Sequence, residues 1–258
     1  MDTPRFSVVI PTLNEEKFLP KLLTSLIRQT VKDFEVIVVD GSSADRTVAV
    51  ARRFMKRLPM LQVIVSDISG VSRQRNMGAK IAKGTWLVFV DADSVLLPNF
   101  FDRITRYIGR KKPKFFTTWF RADVDDPAHA IAGFLGNMSV EGALIIGRPW
   151  APGPLTVVYR SVFDQSGGYD EDASFSEDHD FSMKIVRRGV AFQILREVLY
   201  KYSFRRFRKE GPVRALKRYA RSTLAAAITK RVPKHMPGFV AGGSIYETHS
   251  KKKKTNTK

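Results

Sequence analysis

Three short runs of apolar, mostly β-branched residues, at 6–10 (FSVVI), 34–39 (FEVIVV) and 86–90 (WLVFV), constrain the fold more than any other feature of the chain. Continuous runs of this length suit strands that are covered on both faces. Helical patterns separate them. Phe18, Leu19, Leu22, Leu23, Leu26 and Ile27 recur at three-to-four spacing, and Pro20 is tolerated there in a first turn. Further helices are expected at 47–57 and at 72–83, the second closed by Gly84, with a strand at 62–65 between them. Strands alternating with helices imply right-handed βαβ units and an α/β fold around a mainly parallel central sheet.

Beyond Asp91 the alternation weakens. Helices are expected at 98–108 and 128–139, strands at 115–120 and 155–159, and a Gly/Pro-rich loop, GRPWAPGP, at 147–154. GGYDE then leads to a carboxylate-rich turn and a helix within 175–189. A cation-rich amphipathic helix is expected at 211–231.

Charge divides the chain in two. Of 44 Lys+Arg and 25 Asp+Glu, residues 1–200 hold 27 and 23, a net of +4. Residues 201–258 hold 17 and 2, a net of +15. The expected organisation is a near-neutral domain over 1–210 and a basic extension over 211–258 ending in KKKKTNTK. Such asymmetry points to an anionic neighbour, either a membrane surface or nucleic acid. With no cysteine, disulfides, thiolate nucleophiles and thiolate zinc sites are excluded. No apolar run reaches the length of a spanning helix and no signal-peptide core follows the N-terminus, so a cytoplasmic protein is expected, held peripherally at the inner face of the cell membrane.

In an open parallel sheet, ligands bind beyond the carboxyl ends of the strands. Here those ends are polar: PTLNEE from Pro11, DGSSADRT from Asp40 and DADS from Asp91. Asp91 and Asp93 are two hard oxygen donors of the kind that hold Mg²⁺ while water and substrate phosphates fill its other positions. Neither a P-loop nor a G-x-G-x-x-G follows the first strand, so Arg73, Arg75, Arg205 and Arg206 are the candidate phosphate cations. Glu177, Asp178 and Asp180 flank His179 at the start of a helix, more acid than a helix dipole requires, and one of them suits a general base. His179 has two readings, pairing with an adjacent acid or reaching a metal.

The ordered set VVIPTLNEE, VIVVDGSSADRT, GVSRQRNMGAKIAKG, WLVFVDADS, GGYDE with SEDHDF, and SFRRF resembles the inverting family 2 glycosyltransferases of the GT-A fold over about residues 6–210. The resemblance implies that Pro11, Thr12, Asn14 and Glu15 border a nucleoside pocket, that Asp40 bonds the base, and that Arg75 and Asn76 lie near the nucleotide. It implies that Asp91 and Asp93 hold Mg²⁺ or Mn²⁺, Asp93 more directly, and that Asp178 is the catalytic base, positioned with Glu177. Arg206 and Phe207 align with the Arg-Trp of a Q-x-x-R-W motif at the diphosphate and acceptor, with Ser203 in place of the Gln. The implied reaction moves one sugar from a UDP- or GDP-sugar to a hydroxyl acceptor, expected to be lipid-linked. A polyprenyl-phosphate sugar synthase is the alternative. A sugar nucleotidyltransferase fits less well because PTLNEE is acidic where a basic Gly-rich loop is needed. A nucleic-acid binder leaves the acidic strand ends without a role.

Overall fold

The structure, a computed structural model, describes residues 3–173, 176–205 and 208. One eight-stranded sheet carries the fold, in the order β3-β2-β1-β4-β7-β6-β8-β5. Its left half is parallel: β1 (Phe6–Thr12) lies between β2 (Phe34–Asp40) and β4 (Trp86–Val90), with β3 (Leu61–Val65) outside β2. In the right half β7 (Leu155–Tyr159) runs antiparallel to both β4 and β6 (Phe115–Ala122), whereas β8 (Phe192–Tyr202) is parallel to β6. A two-residue β5 (Val95–Leu96) closes the far edge.

Each central strand is buried on both faces, as its unbroken apolar run requires. Phe6, Val8 and Ile10 of β1 join the core beneath α1 (Leu19–Ile27), α2 (Thr47–Arg53) and α4 (Phe100–Lys111). Val9 faces the other layer, with α3 (Val71–Ile81), α6 (Arg160–Ser166) and α7 (Glu177–Arg187). α5 (Pro127–Ile145) packs along β6.

Several elements differ from the expectations. β1 continues through Pro11 to Thr12, since β4 pairs with it only as far as Val9 and the strand beyond has one neighbour. α2 ends at Arg53 in a short 3₁₀ turn, Phe54–Lys56. α5 runs to Ile145 instead of 139, starting from Asp126, whose carboxylate accepts the His129 backbone N–H, and from Pro127 in the first turn. α6 and β8 are additions. β8 carries Arg196, Glu197 and Lys201 because it lies next to the sheet edge and is bulged against β6, and this charge obscures a strand pattern. The expected helix at 211–231 lies outside the described residues.

Antiparallel β7 does most to shape the ligand edge of the sheet. It enters the sheet where β4 leaves it, and the Asp91 N–H donates to the Pro154 carbonyl at 3.2 Å. The 147–154 loop is thereby carried to the carboxyl end of β4.

α3 sits tightly on β1 at Gly78, where an added Cβ would run into Val9 Cγ1. Because Val9 is β-branched and stiff, it cannot swing aside. We expect Gly78→Ala to lower unfolding free energy by about 1–3 kcal/mol in urea titrations, despite alanine's higher helix propensity. Adding Val9→Ala should return part of that loss.

Candidate functional site

The floor of the site is built from the exits of β1 and β2. Asp40 is fully buried; its Oδ1 accepts the Thr12 hydroxyl at 3.0 Å and the Ser43 hydroxyl at 2.6 Å, and its Oδ2 accepts the Ser43 N–H at 2.8 Å. Asn14, at a positive φ of 56°, donates its N–H to Ser43 Oγ and accepts the Ala44 N–H on its side chain, both at 2.8 Å. The two loops are thus laced into one unit. Gln74 of α3, buried, gives its amide to the carbonyls of Thr12 and Val39 at 2.7 Å each. No local pattern in the sequence singles out Gln74, because its role is set by the packing of α3 across two strand ends.

Above this floor five carboxylates gather around two arginines. Arg75 is 2% exposed; its guanidinium donates to Glu177 Oε1 at 3.0 Å, to Asp91 Oδ1 at 2.9 Å and to the Gly153 carbonyl at 3.0 Å, and lies 5.0 Å from the centroid of the Tyr169 ring. Arg205 makes a two-pronged pair with Glu15 at 2.6 and 2.7 Å, reaches Asp93 Oδ2 through Nε at 2.9 Å, and packs over Phe18 at 4.6 Å. Two guanidinium charges could not compensate the five carboxyls (Glu15, Asp91, Asp93, Glu177, Asp178) if all were ionised. The acids respond accordingly. Burial pushes the Asp93 carboxyl up to about 7 despite Arg205, and burial likewise raises Asp91 and Glu15.

Asp178, in the first turn of α7, is pushed up to about 7 by burial and by the charge of Glu177 beside it. Its carboxylate accepts the Gly153 N–H at 3.1 Å and the His179 N–H at 2.8 Å. A Cβ on Gly153 would stand 3.5 Å from Arg75 Nη2, 3.6 Å from Asp178 Oδ2 and 4.0 Å from Asp91 Oδ2. The loop glycine therefore marks the point where the end of β4, α3 and α7 converge. Ser182 fixes the same loop, accepting the Ala151 N–H at 2.9 Å.

The structure sorts the residues named from the sequence. Thr12, Asn14 and Asp40 form the laced floor beside Pro11; Glu15, Arg75, Asp91, Asp93, Glu177 and Asp178 form the acidic centre. Asn76 instead ties the GGYDE turn, donating to the Tyr169 carbonyl and Glu171 at 2.9 and 3.0 Å and accepting the Tyr169 N–H. Arg73 pairs with Glu171 at 3.4 Å on the surface. Asp180 pairs along the helix with Lys184 at 3.0 Å, and burial lowers the proton affinity of His179. Arg206 and Phe207 lie outside the described residues; the arginine seen in the site is their neighbour Arg205. Ser203 is buried and donates to Asp123 at 3.3 Å.

Among the described residues, no group of three or more His, Asp or Glu side chains forms a metal cage of its own. Asp91 and Asp93 fit a cation that draws its remaining ligands from water and phosphate: both are hard oxygen donors, and the surrounding cluster is short of positive charge.

Residues 7–134 match the model of Glycosyl transferase family 2. The uncharacterized glycosyltransferase EpsJ of Bacillus subtilis is 28% identical over 214 residues, covering 77% of this chain and 61% of that protein. A PGL/p-HBAD biosynthesis glycosyltransferase of Mycobacterium tuberculosis is 41% identical over 115 residues, covering 44% of this chain and 45% of that protein. The chain thus spans only about half to three-fifths of the length of these relatives. In fold it is similar to S. aureus TarS 1–349 in complex with UDP-GlcNAc, with a TM-score of 0.66 at 22% identity over 78% of this chain and 59% of the other. The mannosyltransferase PcManGT of Pyrobaculum calidifontis, in complex with GDP-Man and Mn²⁺, gives a TM-score of 0.65 at 21% identity over 90% of this chain and 67% of the other. The sheet order, the carboxylate-bearing strand ends and these likenesses agree: the chain has the GT-A fold, and its residues 7–134 match glycosyltransferase family 2.

Proposed function

We propose that this protein is an inverting glycosyltransferase that moves one sugar from a nucleoside-diphosphate sugar, UDP- or GDP-linked, to a hydroxyl on a lipid-linked acceptor. The observation that carries the reading is Asp178, a carboxylate whose proton affinity is raised to about 7 and which is held by the Gly153 N–H beside Arg75 and Asp91. A base of that strength suits removal of a proton from an alcohol as it attacks. The acceptor oxygen forms its bond to the anomeric carbon while the bond to the diphosphate oxygen breaks on the opposite face. The electron pair leaves with the diphosphate and the proton goes to Asp178, so configuration inverts in one displacement. Relatives of similar fold whose structures contain UDP-GlcNAc or GDP-Man support the donor class.

The floor formed by Thr12, Asn14 and Asp40 suits a nucleoside, its rigid lacing removing the need to order two loops on binding. Arg75 orients Glu177 and Asp91, and Arg205 orients Glu15 and Asp93. Asp93 and Asp91 would hold a Mg²⁺ or Mn²⁺ ion, whose positive charge would favour departure of the diphosphate. Glu177 keeps the proton affinity of Asp178 high through its own charge.

Three outcomes are expected. Asp178→Asn should lower kcat by about 10²–10⁴-fold while donor affinity, measured by titration calorimetry, changes less than about threefold. An equal loss of donor affinity would make Asp178 a binding residue instead.

The pH profile follows from the raised proton affinity. Below about pH 7 Asp178 carries a proton and cannot accept another, so kcat at saturating donor and metal should fall about tenfold per unit there and level off above. The residual turnover of Asp178→Asn should lack that limb.

Turnover should stop in excess EDTA and return with Mn²⁺ or Mg²⁺. Asp93→Ala should keep its far-UV spectrum while losing the thermal stabilisation that UDP- or GDP-sugar gives in the presence of Mn²⁺. Full activity in EDTA would remove the metal from the mechanism.

A further inference from the structure

α5 is predominantly apolar, with His129, Asn137, Ser139 and Glu141 its polar side chains, yet only Gly133, Asn137 and Val140 are buried in the protein. Ile131, Phe134, Leu135 and Ile145 step along one side at helical spacing, 51–84% exposed, and Ile146 beyond them is 64% exposed. From Ile131 to Ile145 this ridge is about 21 Å long and bears no charged side chain. Its one acid, Glu141, turns inward to Arg196 and Trp119. An uncharged apolar ridge of this extent belongs in a core or in lipid, and this one lies on the surface.

Beside the C-terminal half of α5 runs a groove of about 530 Å³, which Leu144 of α5 also lines. Arg103, Arg106, Arg110, Lys111 and Arg196 line it; Arg103 pairs with Glu197, Arg106 with Asp102 and Arg196 with Glu141, which leaves two cations, Arg110 and Lys111, in excess. Two further acids, Asp125 and Asp126, sit at the opposite end of the helix, within reach of Arg121 and His129. The last described residue, Arg208, pairs with Asp123, just ahead of the N-terminus of α5, at 2.8 and 2.9 Å, and the 50 residues after it carry 13 Lys and Arg against 2 acids.

We propose that α5 is a membrane-docking element: its ridge enters the headgroup–acyl boundary of an anionic lipid surface, Ile145 and Ile146 foremost, while the groove between α4 and β8 gathers headgroup phosphates. Apolar ridge and adjoining cations together match an anionic bilayer, where a second protein copy would need to meet this basic groove with its own. Among the described residues no helix is long and apolar enough to cross a membrane, so α5 lies in the interface rather than through it. The loop that follows α5 carries Gly153 to Asp178. Docking through α5 would therefore set the acidic centre at the lipid surface. The lipid affinity of this surface does not depend on whether the site transfers a sugar.

The chain has no cysteine, so one introduced residue can be labelled alone. Phe134→Cys carrying an environment-sensitive dye is mixed, as full-length protein, with phosphatidylglycerol-rich or pure phosphatidylcholine vesicles. Met55→Cys, on the 3₁₀ turn after α2, is the control. We expect a monomer by light scattering and a water-exposed dye at 134 without lipid. Anionic vesicles should shift its emission to the blue, neutral vesicles should not, and position 55 should report no change. Ile131→Ser/Phe134→Ser/Leu135→Ser should bind anionic vesicles at least about tenfold more weakly; should that variant fail to fold, the dye at 134 decides alone. A dye already sheltered without lipid overturns the proposal, in favour of a dimer if the mass doubles and of self-coverage if it does not. Vesicle binding with a dye that stays wet overturns it in favour of the basic extension acting alone, and absence of binding overturns it outright.

Discussion

A permanently charged guanidinium taken almost wholly out of water is costly unless it is well answered, and Arg75 is answered from four segments at both terminal nitrogens and on one face, its buried Nε alone lacking a partner among the described residues. Asp91 at the end of β4, Glu177 at the start of α7, the Gly153 carbonyl and the Tyr169 ring each supply part. Removing one partner of such a group costs about 3–5 kcal/mol, because the charge left behind cannot be rehydrated. The acidic centre is therefore rigid for the same reason that it is stable. The carboxylates that would meet a donor and an acceptor are the ones that keep Arg75 in place.

This hub exists only because of the sheet's mixed half. A wholly parallel sheet would bring the next strand in from the far edge, leaving its loop at the amino ends. Antiparallel β7 instead begins at the carboxyl end of β4, pairing Val90 with Leu155, and delivers Pro152, Gly153 and Pro154 beside Asp91. Prolines on both sides of Gly153 restrict the loop, while the glycine lets its backbone come close to three charged side chains.

The sequence is most readable where local pattern and final environment coincide. β2 and β4 announce themselves because burial on both faces imposes an apolar run, and Asp91, Asp93 and Asp178 because carboxylates cluster at strand or helix ends without a structural need. The roles of Gln74, Gly153 and Ser182 stay hidden: each acts through register across 30 to 80 residues, and the Gly/Pro-rich run around Gly153 announces a loop without showing what that loop meets. Asn76 shows the converse. Its place beside Arg75 suggests the nucleotide, yet one residue along a helix is a turn of about 100°, enough to aim it at the GGYDE backbone instead.

The pair between Arg205 and Glu15 joins residues 190 positions apart. During synthesis β1 to β4 can assemble once the first hundred residues have emerged, but Glu15 and Asp93 then face each other without their guanidinium. Electrostatic completion of the centre waits for Arg205 itself. A nascent polypeptide would thus hold the laced floor of Thr12, Asn14 and Asp40 well before it holds a finished acidic centre, and a chain ending between Tyr202 and Arg205 would lack that completion while keeping its sheet.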